Sequence, residues 1–278
     1  MSEELNNLPA PGYLTAQDRI KSRPVYEAVF SDDTERFVDY YYQYKIRDNE
    51  ILVIEEEGQI VSMLHLNPYT MIVNGYELNS NYIVAVATLE PYRHRGYMRA
   101  LLEKALCDMA SQEMPFTFLM PASESIYAPF DFVWICPHTE LPPRVMQMDA
   151  DGQNRYLASR YQMFCKRGER YMENLEAEKR AEEGEVFTGQ IPPYMARITD
   201  VSQMLRLVNS EQERTLYLHI KDAIVEKNNG YFCWKVSKEY SRAEKMPHQP
   251  EHLDMEMSIG ELTAAVFSGF RICLTEMV

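Results

Sequence analysis

The spacing of hydrophobic residues divides the first half of the chain into helices followed by strands. Residues 14–46 read as helices, and Ser31, Asp32 and Asp33 are expected to cap one of them. Apolar runs between turn residues then predict strands, and Asn74-Gly75 predicts a hairpin turn. The predicted strands are residues 51–54, 60–66, 69–73, 82–88 and 116–120. Apolar positions at helical spacing separate the last two. This order predicts an α+β domain, which we place at residues 1–145.

Residues 149–185 are rich in charge and helix formers and poor in strand residues. The residues expected to share one apolar face are Tyr156, Leu157, Tyr161, Phe164 and Cys165. The pattern predicts a pair of linking helices. We place this connector at residues 146–191.

The last part of the chain, residues 192–278, alternates again between strand and helix patterns. Asp200 is expected to begin a helix, and Asn229-Gly230 to turn the chain into a strand. Ser258 and Glu261 have the spacing of a capping box, which predicts a helix over residues 262–267. The predicted strands are residues 195–198, 216–220, 231–236 and 254–259. This pattern indicates a second α+β module.

Charge and hydropathy limit the partners. The chain has 28 Lys and Arg against 42 Asp and Glu, which gives a net charge of −14. Such a chain will not bind nucleic acid or anionic lipid nonspecifically, and a cationic partner is favoured. No apolar run approaches the length of a membrane span, so we expect no contact with a membrane.

The cysteines point to a reducing compartment. Five are scattered along the chain, and no two have CxxC spacing. This argues against both a zinc site and a disulfide framework, so we expect no metal site. Residues 1–7 are acidic and polar, unlike a signal peptide. We therefore predict a cytoplasmic protein.

The stretch from residue 82 to 132 carries the most chemistry. An apolar strand is followed by the basic turn at residues 92–98, a helix, and a second strand. The first amides of a helix have no partner within the helix, and the helix dipole is positive there, so this turn predicts an anion site. Gly96 lets the backbone approach the anion closely, and Arg93 and Arg95 add charge.

These residues resemble a known family. Arg93-His94-Arg95-Gly96-Tyr97-Met98 is similar to the acetyl-CoA loop of the GNAT N-acetyltransferases, Q/R-x-x-G-x-G/A, although Met98 departs from the small last residue. With Ala87-Thr88 before the loop and residues 126–132 after it, the stretch looks like the Eis (enhanced intracellular survival) branch. The resemblance implies a GNAT fold, in which two central parallel strands splay apart around the thioester. It also implies a sterol-carrier-protein-like domain at residues 192–278. The connector would then be a remnant of a second GNAT-like domain.

The resemblance assigns roles to particular residues. Val86, Ala87 and Thr88 would contact the pantetheine, and Arg93, His94, Arg95, Gly96, Tyr97 and Met98 the pyrophosphate. Ser123 and Glu124 would line the same pocket. Tyr127 would protonate the leaving thiolate, because a phenol with a pKa of about 10 keeps its proton at neutral pH. The α-carboxylate of Val278 would take the proton of the amine. Glu276 is an alternative carboxylate, and His65 is interpreted as a core residue.

The expected function is acetyl-CoA-dependent N-acetylation of a primary amine on a cationic substrate, aminoglycoside-like or lysine-like. Two alternatives stay open. One is a noncatalytic acyl-CoA sensor, and the other is a lipid carrier that acts through the C-terminal domain. By family resemblance we expect a homo-oligomer, either a trimer or a hexamer.

Overall fold

The computed structural model describes residues 8–183 and 191–278. The acidic N-terminal residues 1–7, and residues 184–190 at the end of the predicted connector, lie outside the described residues. Within the described ranges, no helix is long and apolar enough to cross a bilayer.

Short and medium-length helices flank two sheets. The helices are α1 Arg23–Val29, α2 Glu35–Gln43, α3 Tyr97–Ser111, α4 Glu124–Tyr127, α5 Pro143–Met146, α6 Ala150–Ala158, α7 Glu169–Ala181, α8 Val201–Leu205 and α9 Ile259–Phe267. The strands are β1 Gly12–Tyr13, β2 Glu50–Glu56, β3 Gln59–Val73, β4 Tyr76–Thr88, β5 Phe116–Leu119, β6 Val133–Cys136, β7 Met163–Cys165, β8 Tyr194–Ile198, β9 Arg214–Lys221, β10 Gly230–Val236, β11 Ser241–Met246, β12 Met255–Ser258 and β13 Ile272–Cys273. The predicted α+β class is confirmed.

The first sheet has the strand order β1-β2-β3-β4-β5-β8-β6. The end of β3 also pairs with β7, and β7 pairs in turn with β13. Neighbouring strands are antiparallel except for β4 with β5 and β7 with β13. Two of its strands, β8 and β13, therefore come from the far end of the chain.

Several local predictions need correction. The strands predicted at 60–66 and 69–73 are one continuous strand, because nothing in β3 interrupts its pairing with β4 across Pro68. Thr34, not Ser31 to Asp33, caps α2, since its hydroxyl accepts the Phe37 amide. Phe164 and Cys165 lie in β7 rather than on a helix face, because they pair with β3.

The strand predicted at residues 195–198 exists, but it belongs to the first sheet. β8 pairs antiparallel with β5 on one side and with β6 on the other. Its residues are all buried, so a period of two could not indicate which sheet they join. The module predicted to begin at residue 192 thus contributes its first strand to the other domain. The boundaries themselves stay predictions.

The second sheet has the order β11-β10-β9-β12. The capping box at Ser258 and Glu261 is confirmed, and α9 begins directly after Ser258, three residues earlier than predicted. Phe267 of α9 packs edge-on against Phe116 of β5, with ring centroids 5.4 Å apart. One hydrophobic cluster therefore continues from the second sheet into the first.

Two further clusters cover the first sheet. α3 packs on one face, against apolar residues such as Leu52, Leu66 and Ile83. The N-terminal helices α1 and α2 cover the other face with tyrosine side chains, and Ala177 and Ala181 of α7 join them. His65 lies in this second layer and is fully buried, as expected of a core residue. Its Nδ1 is 2.9 Å from the Tyr41 hydroxyl.

Candidate active site

A β-bulge interrupts β4 shortly before the strand ends. One residue of β3, Leu64, lies opposite two residues of β4, Ala85 and Val86. Ala85 has a φ of 51°, a left-handed conformation that is uncommon outside glycine. A bulge leaves its extra residue unpaired and bends the strand. Backbone groups at the predicted pantetheine strand are therefore not all used by the sheet.

β4 and β5 are parallel and separate after a short contact. Tyr82 pairs with Phe118 and Ile83 with Leu119, where β5 ends. β4 continues to Thr88 without a partner in β5. The strand residues assigned to pantetheine, Val86, Ala87 and Thr88, border the resulting opening. The predicted splayed sheet is confirmed.

The predicted anion cradle is the N-terminus of α3. Gly96 is the N-cap residue, with a φ of 87°, which a side chain would strain. The Arg93 guanidinium is exposed, and its Nε donates to the Thr88 carbonyl oxygen at 3.2 Å. Arg95 lies 3.9 Å from the Glu56 carboxylate, whereas Arg93 makes no ion pair with any described residue. An anion that binds here would have to displace Glu56 from Arg95, whereas Arg93 is not engaged by a carboxylate of the described residues.

The remaining loop residues combine exposure with packing. His94 is exposed and has a φ of 64°. Tyr97 is buried and donates a hydrogen bond from its hydroxyl to the Glu56 carboxylate. Met98 packs against the apolar cluster beneath α3. The side chain of Met98 is thus directed to the core, which explains how a large residue can replace the small one expected there.

Tyr127 ends α4 and is buried. Its ring meets Phe132 edge-on, with centroids 5.9 Å apart. Its hydroxyl makes no hydrogen bond with any described residue. Burial raises the pKa of Tyr127 to about 12, so the phenol keeps its proton across the neutral range. Burial raises the pKa of Tyr82, and Glu276 and Tyr127 add to the shift.

Ser123 and Glu124 are exposed at the start of α4. The Ser123 hydroxyl is 2.9 Å from that of Ser125. Neither residue lines the large cavity described below. Their assignment to the cofactor pocket stays a prediction.

A buried ion pair fixes the loop that follows Tyr127. Arg197 of β8 donates from Nε to the Phe130 carbonyl oxygen at 2.7 Å, and from Nη2 to Asp222 at 2.7 Å. Both charged side chains have 0% exposure. Asp222 also accepts the amides of Ile224 and Val225. Removing one partner of such a buried pair lowers the free energy of unfolding by about 3–5 kcal/mol. The second sheet is thereby tied to the segment that carries Tyr127.

The C-terminal tail returns to the first sheet. The Tyr69 hydroxyl donates to the main-chain oxygen of Val278 at 2.8 Å. Tyr82 donates to the Met277 carbonyl oxygen at 3.2 Å, and Tyr194 to that of Glu276 at 2.7 Å. Val278 packs on the cluster that includes Ala85 and Ala87. The tail thus packs on the first sheet and not only on its own module.

The Glu276 side chain is held elsewhere. Its Oε1 lies 2.9 Å from Arg167, and both side chains are almost completely buried. The Tyr171 hydroxyl donates to the same oxygen at 2.7 Å. Burial raises the pKa of Glu276, but Arg167 and these donors outweigh it and lower the pKa overall. Glu276 is therefore an anchored anion, which disfavours it as the alternative base.

A cavity of about 500 Å³ adjoins the tail, lined in part by Lys45, Tyr69 and Val278. Several buried polar atoms in its wall have no hydrogen-bond partner within the described residues. They include oxygen atoms of Asn49, Asn67, Asn174 and Glu178 and the amide nitrogen of Asn67. Unpaired buried acceptors are costly, so this wall is suited to a ligand rich in hydrogen-bond donors.

Sequence reasoning missed the residues that receive the tail. Tyr69 and Asn67 could have been placed beside Tyr82 from the hairpin at Asn74-Gly75, because the turn fixes the register of β3 on β4. Lys45 and Glu178 carry no such signal. Their partners lie far along the chain, and their residue types are usually solvated.

Comparison with known proteins agrees with this geometry. Residues 13–135 match the family model of the acetyltransferase (GNAT) domain. Residues 13–135 form a GNAT acetyltransferase domain. Residues 201–273 match the model of the sterol carrier protein domain. The chain therefore joins a GNAT acetyltransferase domain to a region similar to the sterol carrier protein domain. No curated protein matches it in sequence.

Solved structures share the fold over nearly the whole chain. Eis1 from Mycobacterium abscessus aligns with a TM-score of 0.66 at 11% identity, covering 93% of this chain and 89% of that one. A GCN5-related N-acetyltransferase from Anabaena variabilis ATCC 29413 gives 0.63 at 13% identity, with 93% and 90% covered. One from Kribbella flavida gives 0.62 at 12% identity, with 91% and 87% covered. At these identities the likeness establishes the fold.

Glu178 generates a pH-dependent prediction. Burial raises the pKa of Glu178 from 4.5 to about 7, so the folded protein binds this proton more tightly than the unfolded chain. The stability that the group contributes is full below about pH 4.5 and is lost as the pH rises through about 7. Glu178→Gln should therefore match the wild type at pH 5 and exceed it at pH 8 by on the order of 1–3 kcal/mol.

Urea unfolding at pH 5, 6, 7 and 8 measures this difference. Glu176→Gln is the matched control, since that side chain is exposed on the same helix. A Glu178→Gln effect of equal size at every pH would contradict the assignment.

Proposed function

We propose that the chain is an Eis-type N-acetyltransferase that transfers acetyl from acetyl-CoA to a primary amine of a cationic substrate. The observation that carries this proposal is the position of the tail. Tyr69 and Tyr82 donate hydrogen bonds to its last two main-chain oxygens, and Val278 packs on the hydrophobic cluster that includes Ala85. A carboxylate at this point would adjoin the opening between the central strands.

The opening and the loop suit acetyl-CoA. The bulge at Ala85 leaves backbone groups for a pantetheine amide, and the N-terminus of α3 offers free amides to a pyrophosphate. Gly96 keeps that approach open, and Arg93 adds a cation that no described carboxylate engages. Acetyl-CoA supplies the activated acyl group. The chain supplies position and proton transfer.

Two groups would move protons. The Val278 carboxylate would accept a proton from the substrate ammonium, which frees the nitrogen lone pair. The nitrogen then forms a bond to the acetyl carbon, the carbon–sulfur bond breaks, and Tyr127 gives its proton to the thiolate. The pKa of about 12 keeps Tyr127 protonated until that moment. The second proton that the nitrogen loses restores the Tyr127 hydroxyl, and the proton on Val278 passes to solvent. The role of Val278 requires that it is the last residue of the working protein, which intact mass measurement tests.

The cavity beside the tail supports a cationic acceptor. Asn49, Asn67 and Glu178 line it, and each has a buried side-chain oxygen without a hydrogen-bond partner among the described residues. Two of the cations that line it are paired, Lys166 with Glu77 at 2.6 Å and Arg170 with Asp48 at 3.0 Å, whereas Lys45 donates to the Tyr69 hydroxyl. An ammonium with several N–H groups would satisfy these acceptors.

Gly96→Asp should weaken acetyl-CoA binding at least tenfold, about 1.4 kcal/mol. The substitution places a side chain at a φ of 87° and a negative charge against the pyrophosphate. Calorimetry with CoA measures it. Gly75→Asp is the control, because Gly75 has a similar φ of 83° at a distant hairpin turn. Equal CoA affinity in a folded Gly96→Asp variant would remove the cofactor assignment.

Tyr127→Phe should lower turnover by roughly 10²-fold while CoA binding stays near that of the wild type, because only the hydroxyl is lost. Acetylation of a panel of amines under saturating acetyl-CoA is the assay. Tyr231→Phe, an exposed hydroxyl on the second sheet bonded to Gln249, is the control. Full turnover by Tyr127→Phe would leave that residue a packing role.

The tail provides the deciding experiment. Adding a few residues after Val278 displaces the carboxylate and should abolish acetylation, with CoA binding retained. The same residues added before Met1 are the control. Val278→Ala should be mild, and C-terminal amidation, which removes charge with little bulk, should be severe. An extended chain with full activity would refute the proposed base, whereas CoA binding without turnover of any amine would favour the acyl-CoA sensor.

A further inference from the structure

Lys45 is a buried cation beside the tail that the proposed mechanism does not use. Its side chain follows α2, and the residue is only 7% exposed. Nζ donates to the Tyr69 hydroxyl at 2.8 Å and lies 4.9 Å from the centroid of that ring. Burying a lysine is costly without a charged or polar partner, so its position here calls for an explanation.

The direction of the hydrogen bonds around Tyr69 is fixed by chemistry. A lysine ammonium has three donors and no acceptor. The Tyr69 oxygen must therefore accept from Lys45, which leaves its single proton for the main-chain oxygen of Val278 at 2.8 Å. Lys45 thus determines that the Tyr69 hydroxyl donates to the tail. The Lys45 ammonium and the Val278 carboxylate are linked through this one hydroxyl.

The Tyr69 ring is held in place by its neighbours. Its centroid lies 6.3 Å from that of Tyr82, 6.2 Å from Phe118 and 6.1 Å from Tyr171. A hydroxyl on a ring packed in this way has little freedom to follow a moving tail. The main-chain oxygen of Val278 is therefore held in a fixed position.

Burial lowers the pKa of Lys45, and the neighbouring carboxylates, Glu178 first, oppose this shift. The titratable groups that act on Lys45 or Tyr69 are Asp48, Cys165, Tyr171, Glu178 and Glu276. Glu276 is paired with Arg167, and Asp48 with Arg170. Burial keeps the Cys165 thiol and the Tyr171 phenol protonated by raising the pKa of each. Glu178 loses its proton only near pH 7.

We infer that Lys45, acting through the Tyr69 hydroxyl, orients the terminal carboxylate of Val278 and keeps it ionised as the base. This inference rests on the proposed function. Lys45 and Tyr69 are positioning residues that do not touch the acetyl group. Removing the charge or the hydroxyl should make the carboxylate bind its proton more tightly.

The experiment measures the carboxylate directly. Protein grown on [1-¹³C]valine carries a label at the terminal carboxyl of Val278, and its ¹³C shift is followed against pH. Lys45→Met and Tyr69→Phe should each raise the proton affinity of this carboxyl at least about tenfold, which is one pH unit. Lys45→Arg keeps the charge and should stay near the wild type. The pH profile of kcat/KM should move to higher pH by the same amount.

The outcomes separate the two proposals. A carboxyl titration that is identical in all four proteins would overturn the role of Lys45 and leave the base assignment intact. A uniform loss of kcat at every pH, without a shifted titration, would also overturn it, since that is the signature of a structural role. If the titration shifts but a C-terminally extended chain is fully active, the electrostatic link stands and the proposed base fails. Tyr69→Phe provides the test should Lys45→Met not fold.

Discussion

The hydrogen bonds between three tyrosines and the last three residues hold the rest of the site together. Tyr69, Tyr82 and Tyr194 stand on different strands of the first sheet, and each donates to a different carbonyl of the tail. After β13 ends at Cys273, the tail pairs with no strand of the described residues. These carbonyl oxygens therefore depend on the three phenols for hydrogen bonds. The position of Val278, the cavity beside it and the role inferred for Lys45 all follow from this contact.

The first half of the fold could be predicted well from sequence because its signals are local. The Asn74-Gly75 turn, the apolar strand before Thr88 and the Gly96 turn each act within a few residues. The bulge at Ala85 could not be predicted, since it depends on how β4 pairs with β3 rather than on any residue type. The same holds for β7 and β8, which are short and are stabilised by strands far away in the chain.

The residues of the candidate site likewise fall into those with a local sequence signal and those without one. The cofactor residues form one contiguous motif, which a resemblance can recognise. The residues around the tail come from β3, β4, α7 and the segment after α2, and no regular spacing in the sequence relates them. The alternative role as a lipid carrier gains no support from the second module, whose apolar residues Leu218, Phe232 and Phe267 are almost completely buried against one another and the first sheet.

The placement of β8 bears on how the chain folds during synthesis. Until residues 194–198 have left the ribosome, the strand between β5 and β6 is missing. The residues of β5, which are all buried in the folded protein, then form an exposed sheet edge. The first sheet can close only after most of the chain has been made, so its contacts span long loops and form slowly. A fragment ending near residue 135 would carry the acetyltransferase motif on an unfinished sheet prone to aggregation. Expressing the two domains separately would therefore leave the first sheet without β8.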